Sequence, residues 1–232
     1  MNESVLAIVP AHDEAGRIGG VVRALVEQGL SVLVVDDGST DDTQQEAAEA
    51  GARLLRLEPN RGKGAALKAG FREALGADAG WKAFLTLDGD GQHDPSEVPR
   101  FLEAWKETGA DLVIGARDYR DMPPIRRFTN SVSRALLSWA MGERIADNQS
   151  GYRLHSRRLA EAALAGQEQG FAFEVEEIAL CLGRGYELAW VPIKTIYGSE
   201  KSDIRPWAHF AGFVRVTWRA RRLMKREGKA RL

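Results

Sequence analysis

The stretch Phe84-Leu-Thr-Leu-Asp88-Gly-Asp90-Gly-Gln92-His93-Asp94-Pro95 sets an Asp-x-Asp pair directly after an apolar run. At the carboxyl end of a strand such a pair suits a divalent cation held against a diphosphate. Hard carboxylate oxygens prefer Mg²⁺ or Mn²⁺, and the remaining ligands come from the phosphates. Asp94 and Pro95 also read plainly as the cap and first residue of a helix. That reading leaves Asp88 and Asp90, with glycines between and after them, unexplained. Two further acidic clusters, at Glu14 and at Asp36-Asp37, also follow apolar runs. Carboxylates gathered at buried strand ends repel unless a cation or donor groups compensate. Three clusters on one sheet edge predict a ligand site, although Ser39 or Thr40 equally suits a helix cap in the second. Asn60-Arg61-Gly62-Lys63-Gly64 fits either a phosphate cradle at a helix start or an ordinary left-handed turn. It is not a P-loop, because the spaced glycine and the Ser/Thr after the lysine are missing.

The elements that must position these residues follow from periodicity. Apolar runs over 4–9, 31–35, 53–57, 83–87 and 111–114 read as strands. Between them lie helical patterns over 18–26, up to Gly51, over 64–75 and over 95–108. This alternation predicts an α/β fold with a mostly parallel central sheet, helices on both faces and the ligand across the strands' carboxyl ends. Beyond residue 115 the pattern loosens into a loop over 121–127, a helix over 128–141 and a polar loop over 147–153. A helix over 171–182 carrying Glu174, Glu176 and Glu177, and a strand over 186–191 ending in Pro192, complete that region.

The chain has 232 residues, 44% hydrophobic and 28% charged, with net charge −1, which fits a soluble globular protein with a full core, in one domain or one domain plus an appendage. One cysteine, Cys181, excludes an internal disulfide framework and fits a reducing compartment. The first residues lack a basic n-region, and no apolar run approaches the ~18 residues of a membrane span, so a cytoplasmic location is expected. From Arg205 onward there are nine Lys/Arg and one Glu, net +8, which leaves −9 on residues 1–204 of a chain with total −1. A basic tail on an acidic body calls for an anionic partner. The body offers no nucleic-acid motif, so membrane lipid is expected rather than nucleic acid. Trp207, Phe210, Val214 and Trp218 recur at helical spacing with Arg215, Arg219 and Arg222 around them. This pattern is either an interfacial anchor or a helix packed on the core.

In sequence order, PAHDE (10–14), VVDDGSTDDT (34–43), NRGKGAALKAG (60–70), LDGDGQHDP (87–95), GAR (115–117), DNQSGYR (147–153) and VPIKTIYGSEKS resemble family 2 glycosyltransferases. The nearest branch is the dolichol-phosphate mannose synthase-like, polyprenyl-phosphate glycosyltransferase group, and the resemblance spans about residues 4–203. It implies a GT-A domain over 1–204; the charge and spacing of 205–232 make that remainder a basic amphipathic helix. It also implies inverting transfer from a nucleotide diphosphate sugar, GDP-mannose or a UDP-sugar, to a polyprenyl or dolichyl phosphate. By motif position Pro10, Ala11, Glu14 and Asp37 would contact the nucleoside, with Asp36, Lys63 and Asp88 completing the nucleotide site. Asp88, Asp90 and Gln92 would hold Mg²⁺ or Mn²⁺. Arg117, Arg127 and Lys201 would meet the acceptor phosphate, where the guanidinium fork suits phosphate geometry. A phosphate acceptor is already anionic and needs no general base, whereas a hydroxyl acceptor would need a carboxylate, for which Asp147 is the candidate. Asp90, Arg117, Arg127 and Asp147 thus form the expected catalytic set. A lipid-phosphate acceptor gives the basic tail a purpose, so a peripheral position at the inner membrane face is expected, and a homodimer is compatible with a short chain carrying such a tail.

The sequence departs from the family pattern at His12-Asp13, where Tyr-Asn is usual, and at Gly89, where alanine is common. A transferase acting on a soluble or glycolipid hydroxyl, and a sugar-nucleotide-binding regulatory protein without catalysis, are the competing readings. The complete Asp88/Asp90/Gln92 set speaks against the second, since a binding module has no use for a leaving-group metal.

Overall fold

The computed structural model of the chain describes residues 4–77, 80–117, 124–166, 168, 170, 172–194 and 206–229. In order the elements are β1 (Val5–Ala11), α1 (Ile18–Glu27), β2 (Ser31–Asp36), α2 (Thr43–Glu49), β3 (Arg53–Arg56), α3 (Lys63–Gly76) and β4 (Ala83–Thr86). A 3₁₀ turn (Pro95–Glu97) then runs into α4 (Val98–Thr108), with Asp94 accepting from the Ser96 backbone N–H as its cap. There follow β5 (Leu112–Arg117), α5 (Pro124–Met141), β6 (Arg153–Ser156), α6 (Arg157–Ala163), α7 (Phe173–Gly183), β7 (Leu188–Ile193) and α8 (Pro206–Lys229).

The seven strands form one sheet in the order β3-β2-β1-β4-β6-β5-β7. Every pairing is parallel except those of β6, which runs antiparallel to β4 and β5. The carboxyl ends of β1, β2, β4 and β5 therefore share one edge. Side chains alternate across the strands, so Val5, Ala7 and Val9 of β1 meet Ile18, Val22 and Leu25 of α1 and Phe101 of α4 on one face. Leu6 and Ile8 meet Leu67 and Phe71 of α3 on the other. Burying a side chain of this size contributes about 2 kcal/mol before entropy is subtracted. A third cluster joins β5 to α5, α7 and α8 through Leu112, Ile114, Leu137, Ile178 and Ala220.

The mostly parallel sheet covered on both faces is the expected architecture. It differs from the sequence reading in several places, and α6 was not read there at all. The polar stretch ending at Arg153 continues as β6, because the charged side chains that should have marked a loop are neutralised inside the protein. The loop expected over 121–127 is helical from Pro124, a residue well suited to a helix's first position. β7 runs on through Pro192 to Ile193, which an edge strand tolerates because it leaves one side of its backbone unpaired.

α8 also has a packed face. Val216, Ala220, Leu223 and Met224 join the third cluster and Thr217 is buried, while Trp218 is 54% exposed. The core-facing seam is therefore not the one that Val214 and Trp218 suggested. The side chains of Trp207 and Phe210 lie outside the described set. Among the described residues no helix is long and apolar enough to cross a membrane.

Candidate active site

The parallel register places Ala11, the last residue of β1, beside Asp36, the last of β2. Their connecting loops then bind one another. The Asp37 N–H donates to the Ala11 carbonyl at 2.8 Å, the Asp13 N–H to Ser39 Oγ at 3.0 Å and the Glu14 N–H to Thr43 Oγ1 at 2.7 Å. Asp13 adopts φ 54°, a left-handed conformation that aspartate tolerates, and its carboxylate accepts from the Thr40 N–H at 2.8 Å. Asp36 is fully buried and accepts from the Ser39 N–H at 3.0 Å and Gln44 Nε2 at 2.6 Å. Asp37 accepts from the backbone N–H groups of Arg61 at 2.8 Å and Gly62 at 2.7 Å. Both members of the Asp-Asp pair thus shape the loops at the carboxyl ends of β1 and β2 through backbone donors. Glu14 pairs with Arg17 at 2.6 Å.

Gly62, with φ 88° and ψ 157°, has a backbone that is neither left-handed helical nor accessible to larger residues. It sets Lys63 at the start of α3, facing the end of β4. Lys63 Nζ lies 2.6 Å from Asp88 Oδ1 and 3.0 Å from Glu174 Oε1 of α7. Burial disfavours the lysine's charge, but the Asp88 and Glu174 carboxylates outweigh it and hold the ammonium above its ordinary pKa. Asp88 is likewise opposed by burial, yet Lys63 and His93 keep its carboxyl well below the usual range. Asp90 behaves oppositely. Burial, with the charge of Asp88 added, pushes its carboxyl up, against the Gln92 N–H that donates to Oδ1 at 2.9 Å.

Among the described residues no three His, Cys, Asp or Glu side chains form a self-sufficient metal cage. Asp88, Asp90 and the Gln92 amide supply hard oxygens on one short turn, a donor set that suits Mg²⁺ or Mn²⁺ completed by ligand oxygens.

The loop before β6 closes the other side. A Cβ on Gly151 would stand 2.5 Å from Lys63 Nζ and 2.8 Å from Asp88 Oδ2, so any larger residue here would displace that ion pair. Asp147, fully buried, receives a two-pronged pair from Arg117 at the end of β5, Nε to Oδ2 at 2.7 Å and Nη2 to Oδ1 at 3.0 Å. The N–H groups of Gln149 and Ser150 also donate to it, at 2.9 and 3.2 Å. Burial opposes its charge, but the Arg117 fork prevails and the carboxyl sits below its ordinary value. Arg127 is exposed near the start of α5, and Lys201 lies outside the described residues.

Two partners of this network had no role assigned from sequence. His93 Nε2 stands 3.6 Å from Asp88 Oδ2, and its ring lies 5.3 Å from that of Tyr152. Glu174, 3% exposed, sits beneath Lys63. His93 falls inside the Asp-x-Asp motif and was legible there. Nothing in sequence ties Glu174 to a residue more than a hundred positions earlier.

Residues 6–164 match the family model for glycosyl transferase family 2. The chain belongs to that family. It is a glycosyltransferase with the GT-A fold. It is 31% identical over 207 residues, 82% of each chain, to an undecaprenyl-phosphate mannosyltransferase of Micrococcus luteus. It is 29% identical over 236 residues to a UDP-N-acetylglucosamine–dolichyl-phosphate N-acetylglucosaminyltransferase of Methanococcus voltae, covering 90% of this chain and 92% of that one. Glucosyl-3-phosphoglycerate synthase from Mycobacterium tuberculosis, solved with Mn²⁺, UDP and glucosyl-3-phosphoglycerate, superposes with a TM-score of 0.72. That match has 21% identity and covers 94% of this chain and 79% of the synthase, a likeness of fold.

Proposed function

We propose that this glycosyltransferase moves a sugar from a nucleoside diphosphate sugar to the phosphate of a polyprenyl phosphate, with inversion at the anomeric carbon. The observation that carries the reading is the state of Asp147. Both its oxygens are taken by Arg117 and backbone N–H groups, and its proton affinity is depressed, so it is unsuited to deprotonate a hydroxyl. A phosphate oxygen needs no such help. It forms the new bond to the anomeric carbon as the bond to the nucleoside diphosphate breaks, and no proton need move. The two relatives' names, each a transferase to a polyprenyl-type phosphate, support the same acceptor.

In this reading Pro10, Ala11, Glu14 and the loops held by Asp36 and Asp37 form the nucleoside pocket. Asp88, Asp90 and Gln92 would hold a divalent cation, which when bound neutralises charge developing on the departing nucleoside diphosphate. Lys63 adds a fixed positive charge beside that carboxylate pair. Arg117, set in orientation by Asp147, receives the acceptor phosphate together with Arg127 and Lys201. Asp147 is a positioning residue here. Trp139 and Trp218, 62% and 54% exposed with ring centroids 6.4 Å apart, would seat the enzyme on a membrane surface next to the basic side chains of α8.

The test is a transfer and donor-hydrolysis assay across UDP- and GDP-sugars with Mn²⁺ or Mg²⁺, with and without a short polyprenyl phosphate. Metal-dependent nucleotide release that rises sharply with the lipid phosphate is expected, and it names the donor. Release indifferent to the lipid but raised by a sugar hydroxyl would overturn the acceptor and keep the family chemistry.

A further inference from the structure

Lys63 is the one cation within ion-pair distance of Glu174 among the described residues. Neither Glu174 oxygen accepts a well-formed hydrogen bond although the side chain is only 4% exposed: Oε1 has the ion pair with Lys63, and Oε2 has nothing. A buried carboxylate with an unused oxygen is costly, and a neutral side chain there would avoid the cost. Its placement is informative. Lys63 stands between two carboxylates of different kinds: Asp88, 26% exposed toward the cleft, and Glu174, closed off in the interior. The shorter contact, 2.6 Å, is with Asp88, the residue the proposed cation needs. A divalent ion on Asp88 would meet the ammonium as a like charge a few ångströms away, and the lysine must then have somewhere else to pair.

We infer that Glu174 is a positioning residue that takes over the Lys63 ammonium when a divalent cation claims Asp88. This rests on the metal reading of Asp88 and Asp90 proposed above. In the free protein Lys63 neutralises Asp88 and keeps the carboxylate pair from repelling itself. As the cation arrives, Lys63 moves toward Glu174, whose second oxygen is available, and remains charged beside the diphosphate site. Gly151 provides the clearance, since a Cβ there would occupy the space next to Nζ. Without the Glu174 charge, Lys63 would have no partner but Asp88, and the cation would have to compete with it.

The experiment is titration of the full-length chain with Mn²⁺, read as free ion by electron paramagnetic resonance, with no nucleotide and again with UDP or GDP. Wild type, Glu174→Gln and Lys63→Met/Glu174→Gln are compared, each checked by its thermal midpoint. Glu174→Gln is expected to weaken Mn²⁺ binding about tenfold. The double variant should bind at least as tightly as wild type, because no ammonium then competes for Asp88. It removes the buried Glu174 carboxylate together with its ammonium partner and leaves Asp88 beside His93, so it remains informative if Glu174→Gln folds poorly. Wild-type affinity in Glu174→Gln would overturn the inference, as would a double variant that binds as weakly as Glu174→Gln. The second result would mean that Glu174 acts by general charge or by folding. Failure of the wild-type chain to bind Mn²⁺ under any of these conditions would instead remove the metal reading itself, and this inference with it.

Discussion

Asp88 and Asp90 stand two residues apart, and their surroundings treat them oppositely. Asp88 is held ionised by Lys63 and His93, while burial and the neighbouring charge of Asp88 drive the Asp90 carboxyl upward. Removing the Asp90 charge should therefore cost the fold nothing and cost the reaction a great deal. For Asp90→Asn we expect turnover to fall by about two orders of magnitude or more, with a thermal midpoint equal to or above wild type. Steady-state transfer kinetics and calorimetry on the same preparation check both halves. A large fall in the midpoint would show that Asp90 serves the fold instead. Gly151 is expected to be equally intolerant for a steric reason. Gly151→Ala must push Lys63 Nζ or Asp88 aside, so donor binding should weaken at least about tenfold, read by nucleotide titration, with a small loss of stability.

At the scale of elements, side chains that read as loop-like turn out to be fasteners. Arg153 and His155 are each 1% exposed on β6, where both meet Glu177 of α7, at 3.1 and 2.8 Å. Leu154 between them enters the opposite core. Alternation along β6 is regular, but its inward face is charged, and single-sequence patterning scores such a face as solvent-exposed. The Asp147–Arg117 pair similarly ties the loop before β6 to the end of β5. Because the folded Asp147 carboxyl lies below its unfolded value of about 3.9, its contribution is complete at neutral pH and is lost as pH falls through the lower, folded value. Asp147→Asn should cost about 3 kcal/mol at pH 7, and the gap to wild type should close below about pH 4. Urea midpoints of the two proteins across that range measure it. α7 and α8 pack closely at Gly183, where a Cβ would lie 2.9 Å from Met224 Cα and 3.0 Å from its carbonyl oxygen. Backbone cannot step aside as a flexible side chain can, so Gly183→Ala should destabilise by about 1–3 kcal/mol, seen as a lower thermal midpoint. An unchanged midpoint would mean that α8 is held loosely.

Across the whole molecule, charge is segregated, with −9 over residues 1–204 and +8 beyond them. α8 combines that basic character with a core-facing seam at Val216, Ala220, Leu223 and Met224 and an exposed Trp218 set against Trp139. Arg221 lies over the Trp139 ring at 4.4 Å. Cutting the chain at 219 would uncover the third core cluster, so membrane contact is better tested by Trp139→Ser/Trp218→Ser. Wild-type sedimentation with anionic vesicles should decrease several-fold between about 0.05 and 0.5 M salt, and the double variant should bind less at every salt. Equal binding by the two proteins would exclude the tryptophan pair as the contact. The sequence by itself determined the β/α alternation, the strand edge that carries Glu14, Asp36, Asp37, Asp88 and Asp90, and the family to which those motifs belong. Each depends on neighbours a few residues apart, where periodicity and motif spacing are physical constraints. Only the tertiary structure decided that β6 enters the sheet antiparallel, that Asp147 is saturated by Arg117, and that Glu174 lies beneath Lys63. Those outcomes rest on charges brought together across long stretches of chain, whose energies depend on burial and distance, and neither is written in local sequence.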